Sequence, residues 1–175
     1  ISACLVGSEM CIRDRCWIFA GMNMLRGPIM EKTKVKDFEL SQTFVHFWDK
    51  LEKANYFLEA MDELRERDIL DRTVAHLLQA PIEDGGQWNM LVALINKYGI
   101  VPQYAMPDTN SSTDTRAMNR DLSTVLRRGA YLLREAGSEE ERKSIKKQAL
   151  EDAYRILTIH LGTPPTEFVL SLIHI

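Results

Sequence analysis

Long stretches of helical periodicity constrain this 175-residue chain more than any other feature of its sequence. From Ser41 to about Leu64, large apolar residues recur at helical spacing, and charged residues occupy the opposite face. Arg116–Glu135 and Ser138–Leu161 show the same pattern, and Ser138 and Glu141 have the spacing of a capping box. The pattern predicts a mainly α-helical protein with Ser41 as the N-cap of the first of these three helices.

The segments between these helices are shorter. Trp17–Met24 is apolar nearly all round and predicts a buried helix, which Arg26-Gly27-Pro28 should interrupt or kink. The remaining segments are predicted, in chain order, as a short helix, a turn, a largely buried helix, an extended segment and a loop: Asp71–Ala80, Asp84–Gly86, Gln87–Tyr98, Ile100–Met106 and Pro107–Thr115.

Composition excludes several classes of function. A net charge of −3 and a pI near 5.8 give no reason to expect nucleic acid or an anionic membrane as a partner. No apolar run approaches the roughly 20 residues that span a bilayer. Cys4, Cys11 and Cys16 lie close together, without a CxxC motif and far from the first histidine, His46. We therefore expect no disulfide framework, no metal site and a reducing, cytoplasmic setting.

The two ends differ from the middle of the chain. Residues 1–15 (ISACLVGSEMCIRDR) have no clean helical or strand period, and they resemble the conceptual translation of a sequencing-adapter tail. Residues 169–175 end in LSLIHI and resemble another such tail. We predict that both are non-native tails around a folded segment, residues 16–168. The alternative is an irregular N-terminal arm and a short apolar C-terminal strand.

The stretch Arg15–Gly21 (RCWIFAG) places a cysteine at the start of an apolar helix. Unpaired amide N–H groups and the positive end of the helix dipole favour a thiolate over a thiol there. The apolar residues behind Cys16 would hold the helix rigidly in a core. The alternative is that Cys16 is a small buried hydrophobic residue, and on spacing alone that alternative is favoured.

RCWIFAG is similar to the nucleophile motif of papain-like peptidases, Cys-Trp-x-Phe followed by Ala or Ser. Arg15 directly before the cysteine is typical of the bleomycin hydrolase and aminopeptidase C branch. Further stretches resemble that branch in the same order along the chain: Phe38–Gln42 (FELSQ), Phe47–Phe57 (FWDKLEKANYF), Asp84–Trp88 (DGGQW), Tyr98–Pro102 (YGIVP) and Tyr154–Pro165 (YRILTIHLGTPP). The resemblance covers about residues 15–168.

This resemblance implies an α+β papain-like cysteine peptidase, of which the chain is the mainly α-helical half. Cys16 would be the nucleophile, and Trp17 would pack beside the catalytic histidine and shield the site from water. Gly85 and Gly86 would let a substrate backbone come close and pair with their main-chain groups. An ordinary tight turn is the alternative for these two glycines. No metal or organic cofactor is implied.

The chain also departs from the family pattern. Met10 stands six residues before the nucleophile, where the family has a glutamine that helps to stabilise the oxyanion. The family's general-base histidine and its asparagine have no matching motif here. His46, His76 and His160 are predicted to be exposed or packed helical histidines instead. We therefore expect the chain alone to carry a reactive thiol at most.

The implied function is that of a cysteine aminopeptidase, which removes N-terminal residues from peptide substrates through a thioester acyl-enzyme. The parent protein is expected to be cytoplasmic and to form homo-oligomers. The piece alone should expose the apolar surface that the absent half covers. A non-catalytic helical interaction module is the alternative.

Overall fold

The computed structural model describes residues 15–35, 37–83 and 85–169. Within these ranges the chain forms helices joined by short connections, with one isolated antiparallel bridge, Leu40–Pro102, and no strand. The α-helices are α1 Cys16–Thr33, α2 Gln42–Glu63, α3 Arg72–Gln79, α4 Trp88–Tyr98, α5 Asn110–Thr113, α6 Arg116–Glu135 and α7 Glu139–Leu161. A 3-10 turn, Gln103–Ala105, lies between α4 and α5. No helix of the described ranges is long and apolar enough to cross a bilayer.

Helices α2, α6 and α7 form the main core. Their inward residues are almost completely buried: Phe57, Leu58, Met61, Leu122, Leu126, Leu133, Ala153 and Leu157. Gly129 of α6 allows close packing, because an added Cβ would lie 3.0 Å from a methyl carbon of Leu58 and 3.2 Å from Ala149. Asp62 of α2 pairs with Arg142 and Lys146 of α7, each at 3.0 Å, and closes one edge of the bundle.

The predicted caps of the long helices are confirmed. The Ser41 hydroxyl accepts a hydrogen bond from the Phe44 amide at 3.1 Å, so that α2 begins where the sequence predicts. The Ser138 hydroxyl accepts from the Glu141 amide at 3.1 Å. The Glu141 carboxylate bonds the Gly137 amide at 3.0 Å, one residue before the position that a capping box would use. Local sequence therefore sets where these helices begin.

Two predictions for the first helix were wrong. Helix α1 runs unbroken from Cys16 to Thr33 through Pro28, which is exposed, so water can replace the hydrogen bond that proline removes. The helix is also buried on one face only: Ile18, Gly21 and Met22 are buried, whereas Met24 is exposed. The buried face packs on α2 and α4.

Helix α4 and the segment after it also differ from the prediction. Leu91 and Leu94 of α4 are buried, but Trp88, Met90 and Val92 are exposed because no described element covers that face. The predicted extended segment contains the 3-10 turn, and the predicted loop contains α5. Thr109 and Ser112 form a reciprocal capping box, which stabilises the single helical turn of α5 within a polar segment.

Candidate active site

Cys16 is the first residue of α1, where the sequence places it. It is half-buried, and it forms no disulfide with any residue that the structure describes. The carbonyl of Arg15 accepts the Phe19 amide at 2.9 Å, and the Arg15 side chain does not cap the helix. The positive end of the helix dipole therefore lies at Cys16, where it favours a thiolate.

The Arg15 side chain anchors the start of α1 through an ion pair. Its side chain is only 4% exposed, and its guanidinium donates to the Asp108 carboxylate at 2.7 Å. The same carboxylate oxygen accepts from Thr43 at 2.6 Å and from Ser112 at 3.2 Å. Burial raises the pKa of Asp108, but hydrogen bonds from Thr43 and Arg15 outweigh it and lower the pKa below its ordinary value. Asp108 thus stays ionised and ties α1 to the start of α2 and to α5.

Trp17 packs directly against Gly86. A Cβ added to Gly86 would lie 2.7 Å from two carbons of the Trp17 indole, so any larger residue would displace the ring. Gly85 has a φ of +86°, a left-handed conformation that favours glycine. Both glycines are therefore required by local geometry. Asp84, which begins the predicted DGGQW motif, lies outside the described residues.

Lys53 of α2 joins the glycine segment to helix α1. Its ammonium donates to the Gly85 carbonyl at 2.7 Å and to the Asp49 carboxylate at 2.7 Å. The same nitrogen lies 5.6 Å from the centroid of the Trp17 ring, within range of a cation–π contact. Trp17 and the Gly85–Gly86 segment consequently share one anchoring cation.

The three described histidines occupy different environments. His46 is fully buried, and neither ring nitrogen has a hydrogen-bond partner among the described residues. Desolvation, followed by the charges of Lys50, Arg15 and Lys53, lowers the pKa of His46 well below its ordinary value, so that the ring is neutral. A buried imidazole surrounded by cations is a packed histidine, one of the two environments that the sequence predicts.

The other two histidines lie on helices α3 and α7, and His160 is partly buried, at 17% exposure. His76 is exposed beside Glu83 at 3.5 Å. His160 Nδ1 is 2.9 Å from the Ser111 hydroxyl, and its Nε2 is 3.6 Å from the Asp121 carboxylate. The described ranges hold no cluster of three or more histidine, cysteine, aspartate or glutamate residues that could bind a metal ion.

Sequence reasoning predicts Cys16, Trp17 and the two glycines as site residues, but it does not point to the side chains that contact this part of the chain. Asp49 and Lys53 stand at i, i+4 spacing, which indicates a helical ion pair but not its contact with Gly85. Asp108 is 93 residues from Arg15, and no local pattern points to their pairing. Met10, Cys4, Cys11 and His174 lie outside the described residues.

Comparison with known proteins defines the class to which this site belongs. The peptidase C1-like family matches residues 11–173, and the chain belongs to that family. The helical half of an α+β papain-like fold, which the sequence predicts, is thereby confirmed.

Two of the relatives that match this chain are aminopeptidases C. Aminopeptidase C of Lactobacillus helveticus is 44% identical over 158 residues, which cover 88% of this chain and 35% of the relative. Aminopeptidase C of Listeria monocytogenes is 46% identical over 155 residues, with the same coverage. The crystal structure of PepW from Lactobacillus rhamnosis HN001 superposes with a TM-score of 0.86 at 46% identity, over 89% of this chain and 36% of that one. The chain thus spans about a third of the length of these relatives.

Proposed function

We propose that this chain is the nucleophile-bearing part of a cysteine aminopeptidase, with Cys16 as the attacking residue. The observation that carries the proposal is the junction of Cys16, Trp17 and Gly86. Cys16 starts α1, and the next residue, Trp17, packs on Gly86. This contact, in a chain of the peptidase C1-like family, supports a nucleophile placed next to a substrate-binding segment.

In the proposed reaction the Cys16 thiolate attacks the carbonyl carbon of the first peptide bond. The C–N bond breaks, the leaving amine takes a proton, and a thioester joins Cys16 to the released residue. Water then hydrolyses the thioester and restores the thiol. The general base and the asparagine of this family have no counterpart motif in this chain, so residues elsewhere in a longer protein would supply them.

The substrate contacts are part of the same proposal. Gly85 and Gly86 would pair with the main chain of a peptide, and Trp17 would shield the thiolate from water. The proposed peptidase segment is residues 16–168, between non-native tails at residues 1–15 and 169–175. A cytoplasmic location and a homo-oligomeric parent protein remain predictions from the family resemblance.

Activity in the longer protein that carries this segment tests the proposal. The wild type should release N-terminal residues from free peptides and should not cleave the same peptides after N-acetylation. Cys16→Ser should lower turnover by ~10³-fold or more, because one member of a catalytic unit is removed. Retained activity in Cys16→Ser, or equal cleavage of acetylated peptides, would contradict the proposal.

Sequencing the source DNA across both ends of the reading frame tests the segment assignment. A frame that continues upstream to a glutamine six residues before Cys16, and downstream to a histidine and an asparagine, supports it. A frame that ends as this sequence does contradicts both the assignment and the catalytic proposal.

The second candidate function is that of a helical interaction module without catalysis. The exposed face of α4 favours it, because Trp88 is 51% exposed and Met90 and Val92 lie beside it. Labelling of Cys16 separates the two functions, because a binding module has no requirement for a reactive thiol.

A further inference from the structure

We propose that Lys53 is a positioning residue that orients and polarises the amide N–H of Gly86 for binding the main chain of the substrate. This inference rests on the proposed function. It gives a role to the Phe47–Phe57 segment (FWDKLEKANYF), which carries both Asp49 and Lys53.

Lys53 fixes the direction of the peptide group between Gly85 and Gly86. The Gly85 carbonyl and the Gly86 N–H belong to the same planar peptide group, and in a trans peptide they point in opposite directions. Lys53 donates to the Gly85 oxygen at 2.7 Å. A fixed direction for this carbonyl therefore fixes the opposite direction for the Gly86 N–H.

The positive charge of Lys53 also makes the Gly86 N–H a stronger donor. A hydrogen bond from an ammonium to a carbonyl is charge-assisted and stronger than one between neutral groups. It draws electron density toward the carbonyl oxygen, and hydrogen bonds that share a peptide group strengthen one another. The Gly86 N–H is consequently a better donor than an ordinary amide.

The Gly86 N–H is available for this purpose. Within the described ranges, no hydrogen bond other than that from Lys53 holds Gly85 or Gly86. Gly85 has no Cβ, and no atom beyond its chain neighbours lies within 4 Å of the place where one would stand, so few steric contacts restrain its peptide groups in the absence of such a bond. Lys53 therefore provides the restraint that the glycine pair itself lacks.

Lys53 is itself held rigidly. The Asp49 carboxylate, 3% exposed, bonds its ammonium at 2.7 Å from one turn earlier on α2. The Trp17 ring lies on another side, 5.6 Å from the ammonium. Because the Lys53 side chain is only 15% exposed, water competes little for its donors. The ammonium thus couples the nucleophile helix to the substrate-binding segment.

The test compares two reagents that alkylate Cys16 in the full 175-residue chain. Iodoacetamide is small and needs no main-chain pairing, whereas a peptidyl epoxide must pair with the glycine segment. Lys53→Met removes the charge and keeps the hydrocarbon stem over Trp17. We expect the rate with the peptidyl epoxide to fall roughly tenfold, as for the loss of one charge-assisted hydrogen bond. The rate with iodoacetamide should change less than about twofold, since the position of the thiol is unaltered.

Two further variants control the experiment. Lys53→Arg keeps the charge and the donors, and should restore most of the rate with the peptidyl epoxide. Lys97→Met removes a lysine of α4 that pairs with Glu52 of α2 rather than with the Gly85 carbonyl, and both rates should stay at the wild-type level.

If the ratio of the peptidyl-epoxide rate to the iodoacetamide rate is unchanged in Lys53→Met, the inference is overturned. An equal loss with both reagents also overturns it, because that result assigns Lys53 a purely structural role. If iodoacetamide fails to label Cys16 in the native wild type, the proposed function itself fails, and the inference fails with it. The iodoacetamide measurement therefore distinguishes the two failures.

Discussion

Different interactions stabilise the bundle of α2, α6 and α7 and the layer that carries Cys16. The bundle is closed by its own apolar side chains, such as Phe57 and Leu126, which are almost completely buried. The site layer, which comprises α1, α4 and the Gly85–Gly86 segment, leaves Trp88 exposed on its outer face. Its internal geometry depends on close glycine contacts and on a few charged hydrogen bonds.

The bundle therefore supplies most of the stability of the chain, and the site layer supplies the geometry around Cys16. Apolar burial is large and non-directional, so the bundle provides most of the free energy of folding. The contacts of Arg15 with Asp108 and of Lys53 with Gly85 are directional, and each fixes one position. Substitutions in the bundle should therefore unfold the chain, and substitutions in the layer should change the reactivity of Cys16 first.

The largest effect is expected for Phe57→Ala in the bundle. Loss of a fully buried aromatic ring leaves a cavity, and the free energy of unfolding should fall by about 3–5 kcal/mol. Met90→Ala on the exposed face of α4 should change it by about 1 kcal/mol or less. Urea denaturation followed by circular dichroism measures both. Equal losses of unfolding free energy in the two variants would show that the bundle contributes no more to stability than the exposed face of α4.

His46→Leu tests a titratable side chain that is fully buried in α2. The folded-state pKa of His46 lies below the unfolded value of 6.5, so the unfolded chain binds the extra proton between those two values. Stability should be full above about pH 6.5 and should fall at lower pH by up to about 1.4 kcal/mol per pH unit until the folded-state pKa is reached.

His46→Leu should remove that slope and should stabilise the chain at pH 5.5 by about 1–2 kcal/mol. His76→Gln, at an exposed position, is the matched control and should leave the slope in place. Unfolding curves recorded between pH 5 and 8 check the prediction. An unchanged slope in His46→Leu would mean that another group titrates.

Asp108→Asn is expected to have an intermediate effect. It leaves the buried Arg15 guanidinium without its carboxylate, but Asp108 is 40% exposed, so solvent screening limits the loss to about 1–2 kcal/mol. Native labelling of Cys16 by iodoacetamide should change as well, since Arg15 precedes it. Asp114→Asn, at an exposed pair with Arg116, is the control and should alter neither property. Equal effects of the two substitutions would remove the role assigned to Asp108.

Gly86→Ala should have the smallest effect on stability and a clear effect on the site. The added methyl group would lie 2.7 Å from the Trp17 ring, which must move. We expect a loss of about 1 kcal/mol or less in unfolding, because the segment lies outside the bundle. Labelling of Cys16 by a peptidyl epoxide should slow by roughly tenfold. A large loss of stability would place Gly86 in the folding core instead.

Sequence reasoning predicted the bundle well because its signals are local. Ser41 and Ser138 cap their helices, and the apolar periodicity of α6 and α7 matches their buried faces. The same reasoning was wrong for α1, which was predicted to be buried nearly all round, and for α4, which was predicted to be largely buried. Burial depends on neighbours, and composition does not show which elements are present to cover a helix.

The site was predicted in part for a similar reason. Cys16, Trp17 and the glycine pair belong to short motifs, so a resemblance identifies them. Asp108 and Lys53 act through contacts that span 93 and 32 residues along the chain, and only the fold brings those groups together. Side chains that support a site are therefore harder to predict than those that form it.

The pH dependence of Cys16 alkylation in the native chain tests the central claim most directly. Iodoacetamide labelling would be followed by peptide mass spectrometry, which separates Cys16 from Cys4 and Cys11. Our account predicts fast labelling of Cys16 that reaches half of its plateau rate below about pH 8.5, the midpoint for an ordinary cysteine. Labelling of Cys16 only after denaturant is added would show a buried structural cysteine and would contradict the account.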